Sequence, residues 1–115
     1  MDADQREAYV EDVLSLVESI PPGRVMAYGQ IAECLERGGP RQVGAVMATY
    51  GSGVPWWRVV RADGTLPDCH QRGALEHYRV ESTPLRGTAA GESGSTRVDM
   101  ARAAWQPVTG TPGRP

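Results

Sequence analysis

The most obvious chemistry in this sequence is offered by the pair Cys69-His70. A histidine can take the proton from a cysteine thiol and leave a nucleophilic thiolate. Neighbours in sequence seldom point at each other, however, and no acidic or amide residue stands at a spacing that would orient the imidazole. Adding Cys34 and His77 gives no pair with the usual spacing of zinc ligands. The sequence also lacks a phosphate-binding P-loop and a GxGxxG motif, so we expect no catalytic residue, no metal and no cofactor.

The segment Pro55-Trp56-Trp57-Arg58-Val59-Val60 is more informative. It contains two of the three tryptophans of the chain, and Pro55 favours extended geometry in the residue before it. Side chains of adjacent residues on an extended segment point to opposite sides. We therefore predict that one indole enters the core and the other faces a cavity or a partner, and the pattern leaves open which way Trp57 faces.

Size and composition are typical of one small cytoplasmic domain. A chain of 115 residues can bury one modest core. No apolar run reaches the roughly 18 residues of a membrane span, and the acidic N-terminus does not resemble a secretion signal. We expect a protein of the cytoplasm without membrane contact. Its two cysteines do not indicate a disulfide framework.

The net charge of −2 conceals an uneven distribution. Residues 1–20 contain six acids and one arginine, residues 21–82 contain six acids and seven arginines, and residues 83–115 contain two acids and four arginines. A local arginine face could therefore meet phosphate although the chain is mildly acidic. Composition alone would not indicate nucleic acid, since the domain is not basic overall.

A mainly α-helical fold should position these residues. Apolar residues at helical spacing predict helices over 3–19, 28–35, 41–49 and 71–81. The second and third helices are separated by a glycine-containing turn, which fits a helix-turn-helix. An extended piece at 59–60 should follow the tryptophans and end in a tight turn at Asp63-Gly64.

The third predicted helix has two distinct faces. Its buried stripe should consist of Val43, Val46, Met47 and Tyr50. Its other side is small, since it carries Gly44, Ala45 and Ala48. A small face lets the helix backbone approach either another helix or a DNA groove, and the pattern leaves both open.

The end of the chain differs in composition. Residues 87–115 are rich in glycine, serine, threonine, alanine and proline, with few large apolar residues. We predict a folded domain over residues 1–86 and a disordered tail over 87–115. Within that tail, a short helix is possible near Val98–Trp105.

Four motifs in the expected order resemble the DNA-binding domain of the O6-alkylguanine-DNA alkyltransferases. Residues 20–32 (IPPGRVMAYGQIA) are similar to the family's Ile-Pro-x-Gly-x-Val-x-x-Tyr-Gly-x-Ile-Ala, and residues 40–44 (PRQVG) to its recognition helix. Residues 55–66 resemble its active-site strip, which reads Pro-Cys-His-Arg-Val, and its following turn. Residues 75–81 resemble its last helix. The resemblance covers roughly residues 1–86 and implies a winged helix-turn-helix-like fold with a short β-hairpin or extended strip.

A tryptophan, Trp56, stands where the family has its reactive cysteine. The chain is therefore most similar to the alkyltransferase-like proteins. That resemblance implies a non-enzymatic damage sensor that binds duplex DNA as a monomer, rotates an O6-alkylguanine into a pocket, and marks it for nucleotide excision repair proteins. It also implies association with the nucleoid when the protein is bound to DNA.

The resemblance assigns roles residue by residue. Arg41 matches the arginine that fills the gap left by the flipped base, and Tyr28 matches the tyrosine that presses on the neighbouring phosphate. Trp56 should form a wall of the lesion pocket, where base–aromatic contacts contribute about 1–3 kcal/mol. The remaining expected site residues are Trp57 and Arg58 around the pocket, and Gln42, Gly44, Ala45 and Ala48 against the DNA.

The sequence also departs from the family pattern. Trp57 occupies the position of a histidine that relays a proton in the active enzymes, so nucleophile and base are both missing. A buried indole at this position needs an acceptor for its N–H, and Glu81 would lose its histidine partner. Two other functions remain open: a helix-turn-helix protein without lesion preference, and a residual alkyltransferase that uses Cys69.

Overall fold

The computed structural model describes residues 2–66, 68–86 and 97–107. These residues form a mainly helical domain with two small sheets, and the predicted fold class is confirmed. The helices are α1 (Ala3–Ser19), α2 (Tyr28–Leu35), α3 (Pro40–Tyr50), α4 (Asp68–Glu81) and α5 (Met100–Ala103). The strands are β1 (Met26–Ala27), β2 (Val59–Val60), β3 (Leu85–Arg86) and β4 (Arg97–Val98).

Helix α1 forms one side of the main core. It begins at Asp2, whose carboxylate accepts from the backbone N–H of Gln5 over 2.8 Å. Its buried residues are Tyr9, Val13 and Val17, which follow the helical spacing seen in the sequence. They pack against α2 and α3, so α1 supports the packing of this helix pair.

The turn between α2 and α3 fixes the angle of this helix pair. Glu36 and Gly38 adopt left-handed backbone geometry, with φ of 57° and 67°. A Cβ atom at Gly38 would lie 2.7 Å from the Tyr9 hydroxyl, so only glycine fits there. Pro40 then starts α3, and the side chain of Gln42 accepts from the N–H of Gly39 over 2.9 Å. The predicted bounds of α2 and α3 agree with the structure to within one residue.

The predicted buried stripe of α3 is shorter than expected. Val43 and Val46 are buried, Met47 is half-buried, and Tyr50 is 51% exposed. The reason is the 3₁₀ turn at Gly51–Gly53, which returns the chain to the domain. Val54 joins the core after this turn, and Tyr50 remains outside it.

The tryptophan segment is not extended, contrary to the prediction. Residues Trp56–Arg58 form one 3₁₀ turn, in which the N–H of Arg58 donates to the Pro55 carbonyl over 3.0 Å. The two indoles therefore do not point to opposite sides but meet edge to face, with ring centroids 5.6 Å apart. Extended geometry begins only at β2, which pairs in parallel with β1.

The C-terminal segment 97–107 belongs to the fold, so the predicted boundary at residue 86 places it wrongly. Strand β4 pairs with β3, and Val98 is only 1% exposed. Trp105 packs against the main core, and its backbone N–H donates to the Val25 carbonyl over 2.8 Å. The few apolar residues of this segment suffice because they complete an existing core rather than form their own. The short helix expected near 98–105 is α5, whereas 87–96 and 108–115 lie outside the described residues.

The Asp63-Gly64 turn anchors this segment. Gly64 has φ of 90°, and a Cβ atom there would lie 2.3 Å from the Val98 carbonyl oxygen. The N–H of Val98 donates to the Gly64 carbonyl over 3.0 Å. The predicted tight turn is therefore present, and it docks β4 rather than closing a hairpin with β2.

Candidate functional site

A pocket of about 340 Å³ opens where α2, α3 and α4 meet the tryptophan segment. Tyr28 contributes from the start of α2, and His70 from the first turns of α4. The other lining residues are Gly44, Met47, Ala48, Gly51, Ser52, Trp56 and Leu66. The pocket thus has mostly apolar walls with a few polar groups, which is typical of a site for a flat organic ligand.

Trp56 forms an aromatic wall of this pocket. Its ring centroid lies 5.4 Å from that of His70 and 5.8 Å from that of His77. Helix α4 packs behind the indole at Gly73, where a Cβ atom would lie in ordinary van der Waals contact with Trp56, at 3.5 Å. Contacts with these rings and with Trp57 hold the indole in place beside the cavity.

Trp57 and Arg58 lie behind the pocket rather than on its described lining. The indole N–H of Trp57 donates to Glu81 Oε2 over 3.0 Å, and its ring stacks on His77 with centroids 3.6 Å apart. Arg58 forms an ion pair with Glu81 and donates to the Ile20 carbonyl over 2.9 Å. The structure thus separates the four pocket residues predicted from the sequence: Tyr28 and Trp56 line the cavity, and Trp57 and Arg58 support it.

Glu81 is the centre of this supporting network. Burial raises the pKa of its carboxyl, but hydrogen bonds from Arg58, the Gly23 N–H and Trp57 lower it more, so the net pKa lies below its usual value. Glu81 therefore has a new partner, the Trp57 indole, at the position where the sequence resemblance implies histidine. Because its oxygens accept from an indole, a guanidinium and a backbone N–H, Glu81 acts as a structural acceptor here.

Tyr78 adds a second support beneath the tryptophans. Its hydroxyl donates to the Trp57 carbonyl over 2.6 Å. Burial raises the pKa of this phenol far above its usual range, so it remains a donor at every physiological pH. Two residues of α4, Tyr78 and Glu81, thus hydrogen-bond to Trp57 and stabilise the turn that carries Trp56.

Tyr28 lies at the opposite side of the pocket, at the first residue of α2. Burial raises the pKa of its phenol, and the positive charge of Arg61 partly opposes this effect. The hydroxyl is therefore neutral at physiological pH and can donate a hydrogen bond to an anionic oxygen.

The small face of α3 is open rather than packed on another helix. Ala45 and Ala48 are exposed, and a Cβ atom at Gly44 would meet no atom of another described element within 4 Å. The alternative in which this face packs closely within the domain is therefore wrong. Arg41 is exposed at the start of the same helix, and Gln42 beside it is exposed although its side-chain oxygen caps Gly39.

Of the two cysteines, only the side chain of Cys34 is described, and it shows no sign of a reactive thiolate. Cys34 is exposed on α2, and the limited desolvation of its thiol together with the nearby charge of Glu33 raises the pKa of that thiol. The side chain of Cys69 lies outside the described part of the structure. Within the described residues, no group of three or more possible ligands could hold a metal ion. None of the described helices has the length and apolar character that crossing a membrane requires.

Five residues of the pocket lining are not among the site residues predicted from the sequence: Met47, Gly51, Ser52, Leu66 and His70. The sequence suggests a role for His70 only together with Cys69 and places Met47 in the core, and Leu66 belongs to a motif without an assigned role. Gly51 and Ser52 lie in the 3₁₀ turn after α3. No spacing rule could have shown that these residues line one cavity, because it depends on how the start of α4 packs against the 3₁₀ turn at Trp56.

The chain matches a known protein family. The model for the 6-O-methylguanine DNA methyltransferase DNA-binding domain matches residues 8–81. The chain is 34% identical to the DNA base-flipping protein of Escherichia coli, over 89% of this chain and 78% of that protein. It is 25% identical to the DNA base-flipping protein of Vibrio parahaemolyticus, over 88% of this chain and 99% of that protein.

Solved structures show the same architecture. The chain resembles S. pombe Atl1 in complex with damaged DNA containing O6-carboxymethylguanine, with a TM-score of 0.73 and 27% identity. This similarity covers 93% of the present chain and 100% of the Atl1 chain. A second S. pombe structure, also a complex with DNA, matches with a TM-score of 0.72. Since the similarity includes nearly the whole chain, it extends beyond the helix-turn-helix itself.

Proposed function

This chain belongs to the 6-O-methylguanine DNA methyltransferase family through its DNA-binding domain, and on this premise we propose that it is a sensor of alkylated DNA. It binds the duplex, accepts an O6-alkylguanine rotated out of the helix, and holds this base in the pocket beside Trp56. The DNA keeps its lesion, because binding is followed by no transfer of the alkyl group.

The observation that carries this proposal is the position of Trp56 next to an open small face. Gly44 and Ala48 belong both to the exposed face of α3 and to the pocket lining. A DNA groove that contacts α3 would therefore lie directly beside the cavity. A base that leaves the DNA stack then has a short path into the cavity. The indole face of Trp56 then offers apolar contact to the base and its alkyl group.

Three side chains around the pocket suit contacts with DNA. Arg41 extends from the start of α3 into solvent, where its planar guanidinium can fill the gap left by the rotated base. Tyr28 brings a neutral hydroxyl to the edge of the cavity, where it can contact a phosphate. Gln42 keeps its amide NH₂ available for the DNA backbone while its oxygen caps the helix.

The absence of alkyl transfer follows from the residue types at the site. Trp56 carries no nucleophile at the position that matches the reactive cysteine of the active enzymes, and Trp57 carries no base at the next. Trp57 instead donates to Glu81. The bound and distorted DNA would serve as the signal for nucleotide excision repair proteins, with the sensor acting as a monomer that associates with the nucleoid.

A titration of matched duplexes tests this function. Two duplexes of one sequence, with guanine or O6-methylguanine at the centre, are titrated with the full chain at the same salt concentration. We expect tighter binding of the alkylated duplex, since its weakened base pair costs less to open, and binding several-fold weaker for Arg41→Ala. Equal affinities of the wild-type protein for both duplexes would instead identify a helix-turn-helix protein without lesion preference.

A further inference from the structure

The C-terminal segment carries arginines that the helix-turn-helix does not explain. Strands β3 and β4 place Arg86 directly opposite Arg97 in antiparallel register, and both side chains are exposed. Like charges in this arrangement repel each other and destabilise a sheet. Neither arginine forms an ion pair with an acid within the described residues, so an external anion would stabilise the pair.

These arginines connect to the pocket through the turn after β2. Parallel pairing of β1 with β2 sets Ala27 beside Val60, so the next residues, Tyr28 and Arg61, are neighbours at the pocket edge. The charge of Arg61 indeed acts on the Tyr28 phenol.

The turn then leads from Arg61 to the C-terminal sheet. Gly64 accepts the N–H of Val98 over 3.0 Å, which brings Arg97 to this turn. The charges of both arginines act on Asp63 in this turn and help to lower the pKa of its carboxyl, after its hydrogen bonds with Thr65. A continuous path thus runs from the pocket edge through Arg61 to Arg97 and Arg86.

We propose that Arg61, Arg86 and Arg97 form an arginine surface that contacts the phosphates of the DNA duplex beside the lesion pocket. This inference rests on the proposed function, because it extends the same binding face beyond α3. DNA fits better than an acidic protein, since the surface is continuous with the pocket that receives the base. The contacts are electrostatic and independent of sequence and damage.

The test is the salt dependence of DNA binding by the full chain. Dissociation constants of wild type and the double variant R86Q/R97Q are measured over a fourfold range of salt, with matched guanine and O6-methylguanine duplexes. Each lost phosphate contact should reduce the slope of log affinity against log salt by about 0.9. We therefore expect a slope shallower by about 1.8 on both duplexes. Over the fourfold range of salt, the variant should thus lose about tenfold less affinity than the wild type does. The ratio of its affinities for the two duplexes should not change.

Two further variants complete the test. R86K/R97K keeps both charges and should retain the wild-type slope. Asp63→Asn removes an acid whose charge opposes the arginines on the path but keeps an oxygen for Thr65, so it should bind both duplexes more tightly; this gain of affinity cannot result from misfolding. Wild-type slopes for R86Q/R97Q, or no gain for Asp63→Asn, would overturn the arginine surface. Equal affinities of the wild-type protein for the guanine and O6-methylguanine duplexes would instead refute the proposed function.

Discussion

Trp56 is the residue on which lesion recognition should depend most. Its indole is a pocket wall held by neighbouring rings, and base–aromatic contacts contribute about 1–3 kcal/mol. For Trp56→Ala we expect the affinity for an O6-methylguanine duplex to fall by roughly tenfold, and the affinity for an undamaged duplex to change little. Competition binding with the two duplexes measures both.

Trp105→Ala is the matched control for this change. Trp105 packs against the core formed by the first helices and is not among the described lining residues of the pocket. Its replacement should lower the melting temperature but leave the ratio of the two affinities intact. If Trp56→Ala kept the wild-type ratio, the indole would not be a recognition surface.

Glu81 should make the stability of the fold depend on pH. Its side chain and that of Arg58 are 10% and 13% exposed, and removal of one partner of such a pair costs about 3 kcal/mol. Because the folded state lowers the pKa of Glu81 below its usual value of 4.5, the unfolded chain takes up the proton first as the pH falls. Its contribution is therefore complete above pH 4.5 and is lost as the pH falls through the folded pKa.

Urea unfolding of Glu81→Gln and wild type at several pH values checks this sign. The difference in unfolding free energy should be largest near pH 7 and shrink below pH 4.5. Glu76→Gln, an exposed residue of the same helix, should change the stability by less than about 0.5 kcal/mol. A difference between Glu81→Gln and wild type that stayed constant down to pH 3 would contradict the role of the charged carboxylate.

Among the elements, helix α3 has a small exposed face that a DNA groove can approach closely. Ala45 is exposed on its small face, and it is not among the described residues that line the pocket. Ala45→Leu should therefore leave the melting temperature nearly unchanged. The added side chain should hold the helix away from the DNA groove and weaken binding to damaged and undamaged duplexes alike, by roughly tenfold or about 1.4 kcal/mol.

A matched substitution on the other side of the domain tests whether this effect is local. Ser15→Leu places the same side chain on an exposed position of α1, away from the small face of α3. It should leave both DNA affinities as in the wild type. Unimpaired binding by Ala45→Leu would show that the small face does not enter the groove.

The elements differ in how well the sequence predicts them. Helices α1 to α3 follow from periodicity together with local signals such as Pro40 and the glycines before it, because these signals act within a few residues. The turn at Trp56–Arg58 could not be predicted in this way. Its geometry depends on Glu81 and Tyr78, which are distant in sequence and hold Trp57 by its N–H and its carbonyl.

At the scale of the whole molecule, the C-terminal segment completes the domain. Val98 and Ala103 are fully buried, and the backbone of Val25 pairs with Ala103 and Trp105. A chain truncated after residue 86 would expose the surface that these residues cover, and burial of one valine alone contributes about 1.5–3 kcal/mol. We expect the truncated chain to melt at a much lower temperature than the full chain, or to be unfolded, in a circular dichroism melt.

Truncation after residue 107 is the control, since it keeps every described residue of the segment. It should melt as the full chain does. A chain of residues 1–86 with the full melting temperature would restore the domain boundary that composition suggested. Composition misled here because it counts apolar residues, whereas stability depends on where they pack: Val98 fits against Gly64, a contact that spans more than thirty positions of sequence.

The proposed function requires that this fold hold an alkylated guanine without repairing it. The most direct measurement incubates the full chain with a stoichiometric O6-methylguanine duplex under conditions in which the complex is seen to form. Intact-protein mass and the base composition of the recovered DNA are then determined on the same sample. We expect an unchanged protein mass and a full complement of O6-methylguanine. A protein heavier by one methyl group, with guanine restored in the DNA, would contradict it and point to a nucleophile such as Cys69.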